Sequence, residues 1–160
     1  MLPPMTTEDF QSFAFAHYDR PQVRQAALEL QDRHGCDVVL LLFAVWISKR
    51  GRRLDEERLK PLVASAHLLQ ANLIAPLRAA RRVACNAGMD SVCQRLRERE
   101  LAAEVLELKL LAPAIGQFDR SDLEPVELDR VNAGAYLQCM GLGQQAQSAV
   151  ANVFGAHSRL

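Results

Sequence analysis

Seven consecutive residues, Gln31-Asp32-Arg33-His34-Gly35-Cys36-Asp37, bring together two carboxylates, an imidazole, a thiol, an amide and a guanidinium. They stand directly before Val38–Ile47, ten apolar residues in a row. A histidine beside carboxylates suits acid–base chemistry, because its ring changes charge near neutral pH. His17 is spaced to share the apolar face of an earlier helix with Phe10, Phe13 and Ala14. It could complete a catalytic or ligand pocket with Gln31, His34 and Asp37. The competing reading is a helix corner. Gly35 would end one helix in a left-handed cap, Asp37 would cap the next, and Gln31 and His34 would satisfy free backbone groups. Capping logic favours the corner and leaves the pocket as the alternative.

A second group is cationic. Arg50, Arg52 and Arg53 in "SKRGRR" and Arg78, Arg81 and Arg82 in "RAARR" would make a contact for an anion or an acidic partner if the fold joined the two segments. The plainer reading is two solvated helix ends. Four cysteines (Cys36, Cys85, Cys93, Cys139) and four histidines could supply metal ligands, but no CxxC or HExxH spacing occurs, so neither metal nor cofactor is expected. The cysteines are expected to be free thiols. "GLGQQAQ" has no strand before it, which argues against a dinucleotide turn, and no GxSxG elbow is present.

These side chains need helices to hold them. Leu, Ala, Arg, Glu and Gln dominate and strand alternation is absent, so the spacing predicts an all-α fold. Thr6 or Thr7 starts the first helix and Pro21 opens the second, with Val23, Ala26, Ala27 and Leu30 inward. Asp37 to Arg50 is apolar on every side and should be the central helix. Asp55 caps a long fourth helix with an inward stripe that includes Leu59, Ala66, Leu73, Leu77, Ala80 and Ala84. Pro76 should kink it. A fifth helix from Asp90 carries an apolar stripe over Val92, Leu96, Ala103, Leu106 and Leu110, with its arginines and glutamates on the flanks. Two shorter helices, Val126–Met140 and Gln144–Phe154, follow, and "GAHSRL" is expected to fray.

The expectation is therefore a single domain over 1–160: an irregular bundle of six to seven helices around a central apolar helix at about 37–50. Residues 116–125 form a loop or hinge, and 126–160 are less tightly coupled. Nineteen basic residues balance nineteen acidic ones, which disfavours nucleic acid as a partner. The first 89 residues carry a net +3 and the rest a net −3, an asymmetry that would suit a homo-oligomer. The longest apolar run is about half a bilayer span, so no membrane role is expected. With no basic region ahead of an apolar run near residue 1, the chain reads as cytoplasmic.

One resemblance reaches further. "FAFAHYDRPQVRQAALELQDRHGCDVVLLLFAVWISKRGRRL" resembles the core of an uncharacterised proteobacterial domain-of-unknown-function family. That family's pattern is an aromatic segment, then YxxPxV, then LQDxxGxDVNxLLFxxW. Tyr18, Pro21, Val23, Leu30, Gln31, Asp32, Gly35, Asp37, Val38, Leu41, Leu42, Phe43 and Trp46 match. "PLRAARR" resembles its next feature, and the likeness covers about residues 8–112. Val39 stands where the pattern has Asn, so a site using that Asn is altered here. The resemblance implies a bacterial, cytoplasmic, helical protein and supplies no activity. The favoured function is a non-catalytic protein-interaction or regulatory module. The alternative is a small helical enzyme or ligand-binding protein with its pocket at LQDRHGCD.

Overall fold

The computed structural model describes residues 5–155, and within them the chain is mostly helical. The eight helices are α1 (Thr7–Tyr18), α2 (Pro21–His34), α3 (Val38–Lys49), α4 (Glu56–Leu69), α5 (Ala75–Asn86), α6 (Asp90–Leu111), α7 (Pro125–Cys139) and α8 (Gln144–Phe154). No strand occurs among the described residues; a lone bridge pairs Arg52 with Arg120. Joined by the π turn Gln70–Ile74, α4 and α5 form one long helix, which makes seven in all. The expected all-α bundle is what forms. The frayed tail expected after Gly155 lies outside the described residues.

Local chemistry starts and stops these helices as expected. Thr6 Oγ1 accepts from Asp9 N–H at 3.1 Å to open α1. Pro21 begins α2 at a position whose N–H has no partner to lose. Gly35, at φ 65°, ends α2 in the left-handed conformation that a Cβ would strain. Every residue from Val39 to Ser48 of α3 is buried. Trp46 stacks on Phe10 with ring centroids 4.8 Å apart, and Phe43 meets Phe10 edge-on at 5.5 Å. Helices α1, α2, α6, α7 and α8 enclose α3.

Pro76 bends the fourth helix through the turn before it. Lacking an N–H, and with its ring pressing on the carbonyl four residues back, it cannot continue a regular α ladder. The helix widens, and Ala75 N–H reaches back to Gln70 O, five residues away. The inserted residue shifts the inward face. Ile74, outside the expected stripe, is fully buried, and Ala80, inside it, is exposed.

The stripe on α6 also differs from expectation. Val92, Leu106 and Leu110 are exposed, and the buried positions are Glu100, Ala103, Glu107, Leu108 and Leu111. The helix is rotated because two of its glutamates have partners inside.

The 116–125 segment is tied to the core over its first half. A 3-10 turn, Ala112–Gln117, buries Ala112, Ala114 and Ile115. Phe118 is fully buried with its ring 6.2 Å from Phe43. Arg53 N–H and Ser121 N–H then bond across to Asp119 O and Gly51 O, each at 2.9 Å. Helices α7 and α8 contribute Tyr136, Val150, Val153 and Phe154 to the same core as α3.

Candidate functional site

Asp37 lies at the head of α3 and caps it. Its Oδ1 accepts from Val39 N–H at 3.0 Å and Leu40 N–H at 3.3 Å. Replacing Asp37 with Asn, an equally good cap, is expected to cost no stability, and Asp37→Ala is expected to lose ~0.5–2 kcal/mol. Thermal melts of the three proteins at neutral pH check this; equal damage from both substitutions contradicts the cap.

Oδ1 accounts for only half of this carboxyl. Oδ2 is buried with no partner among neutral or cationic donors, and the same holds for Oε2 of Glu107 on α6. The Asp37 carboxyl is the group that acts most strongly on Glu107, so the two carboxyl groups are neighbours. Glu107 is fully buried, and its Oε1 accepts from Gln70 Nε2 of the π turn at 3.5 Å. Burial foremost, and then Asp37, drives the Glu107 carboxyl far above the ordinary carboxylate range. Burial likewise pushes up the Cys36 thiol and the phenol of fully buried Tyr136, two neighbouring groups beside Asp37. Cys36 is accordingly no activated nucleophile.

A cavity of about 400 Å³ opens beside this pair, lined by Gln31, His34, Cys36, Asp37, His67, Gln70 and Arg78, with Leu40, Val63 and Met140 as apolar surface. Three of the four sequence candidates for an acid–base pocket therefore do meet. His17 does not join them. It lies at the far end of α2, whose fourteen residues span about 20 Å. Its Nε2–H donates to Val153 O at 2.6 Å, and its ring stacks on Phe13. Burial lowers its pKa below 6.5. Lys49 bonds Phe154 O at 3.0 Å and Asp129 at 2.7 Å, so His17 and Lys49 together satisfy two of the free carbonyls closing α8.

The six arginines also separate. Arg50, Arg52 and Arg53 follow the last turn of α3, and Arg78, Arg81 and Arg82 flank its first turns, about 18 Å away for twelve residues. A combined anion site does not form. Arg50 pairs with Asp9 at 3.4 Å, and the Arg52 side chain donates to Phe118 O. Arg78 Nε donates to Glu100 Oε1 at 2.9 Å and Nη2 to Glu104 Oε1 at 3.4 Å. With the Gln31 amide oxygen turned toward it, Arg78 also bonds Gln31 at 3.0 Å. Arg81 Nε donates to Glu100 Oε2. Desolvation pushes the Glu100 carboxyl up, but the bonds from Arg81 and Arg78 outweigh it and hold the group below its usual value. Arg82 is exposed and has no ion-pair partner among the described residues.

Gln31 and Arg78 form a partition between that cavity and a second hollow, a groove of about 390 Å³. Its floor is Ala14, Val39, Leu42 and Leu108, and its polar wall is the Arg78–Arg81–Glu100–Glu104 network. Three large apolar residues stand exposed at its rim: Phe15 at 49%, Leu28 at 40% and Leu101 at 49%. None of these, nor Glu100, Glu104, Glu107 or Gln70, was singled out as a site residue by sequence. One signal was present: Glu100, Glu104 and Glu107 recur at i, i+4 and i+7, a single helix face.

The cysteines divide. Cys85 and Cys93 form a disulfide, with Cα atoms 4.9 Å apart, across the turn between α5 and α6; Cys36 and Cys139 are thiols. The expectation of four free thiols is corrected, because the tight α5–α6 hairpin brings the last turn of one helix against the first turn of the next.

No helix among the described residues is long and apolar enough to cross a membrane. No curated protein and no solved structure matches the chain. A family model described as a protein of unknown function, DUF2390, matches residues 9–111. That span runs through α1–α6 and carries the groove, the neighbouring arginine–glutamate network and the Asp37–Glu107 pair. With well over half of the chain matched, the protein belongs to the DUF2390 family of proteins of unknown function.

Proposed function

We propose that this protein is a non-catalytic interaction module, and that its binding surface is the groove between α1, α2, α5 and α6 over the first half of α3. One observation carries the reading. Phe15, Leu28 and Leu101, three exposed large apolar residues, surround a single hollow with an apolar floor and a charged wall. Apolar patches rimmed by polar groups are characteristic of partner sites. The occupant we assign is a segment of another protein that inserts a large apolar side chain and offers an acidic residue to Arg82. We assign the module to the cytoplasm, where thiols are mostly kept reduced. The Arg78/Arg81–Glu100/Glu104 network joins α5 to α6 in addition to the Cys85–Cys93 bridge.

The test is affinity purification from native cells, followed by mass spectrometry of both proteins and small molecules, with the wild type and Leu101→Asp compared. Position 101 is exposed, so the variant folds, and a matching thermal melt verifies that. Withdrawing a buried leucine from an interface is worth ~1.5–3 kcal/mol, roughly ten- to a hundredfold in affinity. A protein recovered with the wild type and depleted at least tenfold with Leu101→Asp supports the reading. An unchanged protein set, or a second copy of this chain as the only one recovered, overturns it.

The polar cavity supports a second reading, a small-ligand site, because Gln31, His34 and Asp37 meet His67 and Gln70 around about 400 Å³, within the usual size for such sites. Its signature is a co-purifying small molecule that persists with Leu101→Asp and is lost with His67→Trp, which fills that cavity.

A further inference from the structure

A helical core strongly disfavours an isolated carboxylate, yet two carboxyl groups meet here. Glu107 comes from the middle of α6 and is fully buried. Asp37 comes from the loop that opens α3, its Oδ1 committed to the helix cap. Each keeps one buried oxygen with no other partner, and each is the other's neighbour. Two ionised carboxylates are acceptors only, so these two buried, unpartnered oxygens can satisfy each other only if one carries a proton. Among the described residues no ion pair reaches Asp37 or Glu107, although Arg78 lines the same cavity as Asp37. Arg78 of α5 is committed to Glu100, Glu104 and Gln31. Cys36 from the α2–α3 loop and Tyr136 of α7 are neutral, and Glu104 of α6 adds negative charge. His34 of α2 and His67 of α4 line the cavity on Asp37's outer side.

We infer that Asp37 and Glu107 hold one proton between them, and that this proton ties the start of α3 to the middle of α6. When it is lost, two facing carboxylates replace the hydrogen bond, and the seam beneath the groove is pushed apart. The tie exists whatever occupies the groove. Burial and the neighbouring Asp37 raise the Glu107 carboxyl from its unfolded value of 4.5. The sign follows from linkage. The stabilisation is fully present below 4.5 and is withdrawn as pH rises from there toward the folded value, the reverse of an ordinary salt-bridged carboxylate.

The pair can be isolated between about pH 7 and 8.5. Lowered by burial, His17 changes stability only below 6.5, and Cys36 and Cys139 titrate in the unfolded chain near 9.0. Glu104, also raised by burial, is common to the wild type and Glu107→Gln, so the pair is read as the difference between their slopes. Urea unfolding of the wild type across this window is expected to show an unfolding constant rising by about tenfold per pH unit. In Glu107→Gln the amide donates to Asp37 Oδ2 with no proton to lose. That variant is expected to be more stable than the wild type at pH 8 and to show no such slope. The carbon-13 shift of the wild-type Glu107 carboxyl, read alongside, is expected to report a protonated group at pH 7; this reading decides even if the variant fails to fold. A flat wild-type profile, a Glu107→Gln protein weaker than the wild type at pH 8, or a Glu107 carboxyl titrating near 4.5 overturns the shared proton.

Discussion

Replacing Trp46 with alanine is expected to remove ~3–5 kcal/mol of stability, the usual range for truncating a buried large aromatic. Trp46 is 1% exposed and sits on α3, where ten successive residues are buried. It stacks on Phe10 of α1 and lies 6.2 Å from the Phe43 ring, so its loss opens a void where two helices meet. Tight packing lets neighbours relax only partly into such a void. Against a total stability of roughly 5–15 kcal/mol, this is the largest expected single-residue effect. Urea unfolding followed by circular dichroism measures it. A loss below about 1 kcal/mol contradicts a core built around α3.

Glu100→Ala is expected to be nearly as damaging, for an electrostatic reason. Glu100 takes one guanidinium on each carboxylate oxygen, from Arg78 and Arg81. Removing it leaves Arg81 without its carboxylate and Arg78 with Glu104 alone. Breaking a fully buried pair costs roughly 3–5 kcal/mol; the Arg78 and Arg81 side chains are 19% and 22% exposed, so about 3 kcal/mol is expected. Glu98→Ala, two residues away on the solvent side, should change stability by less than ~0.5 kcal/mol. The pH dependence separates charge from packing. The Glu100 carboxyl is held below its usual value of 4.5, so its contribution is present above that pH and is lost as pH falls through the folded value. Melts near pH 7 and pH 3 should therefore converge for wild type and Glu100→Ala at the acid end. An equal gap at both pH values contradicts the ionic account.

The helices were legible in the sequence wherever one local rule decided them. Gly35, Asp37 and Asp55 each act through their own backbone and a few neighbours, so caps and boundaries follow from residue type alone. The all-round apolar run at 38–47 left α3 no place but the centre. Where a residue's fate depended on a partner distant in the chain, local rules failed. Glu100 and Glu107 were placed on the flanks of the leucine stripe, and their partners, Arg78, Arg81 and Asp37, come from other parts of the chain. That exchange turned α6 and exposed Leu101, the residue that marks the groove. Ile74 was missed because the π turn adds a residue to a period the sequence shows as regular. His17 carried the right chemistry but lay one helix length from the other candidates. The question posed by the polar segment, cap or site, has a physical answer in Asp37: one oxygen caps α3 and the other meets Glu107.

The central claim is that the groove rimmed by Phe15, Leu28 and Leu101 is the surface that meets a partner. The most direct measurement places a photo-crosslinking amino acid at position 101, and in a parallel sample at position 68. Leu68 is also exposed, at 63%, but does not line the groove. Illumination of native cells is expected to give a discrete higher-mass adduct with another protein from position 101 and none from position 68. Adding Arg82→Glu should weaken the adduct, because the assigned partner segment offers an acidic residue there. No adduct from position 101, or equal adducts from both positions, would contradict the groove as the binding surface.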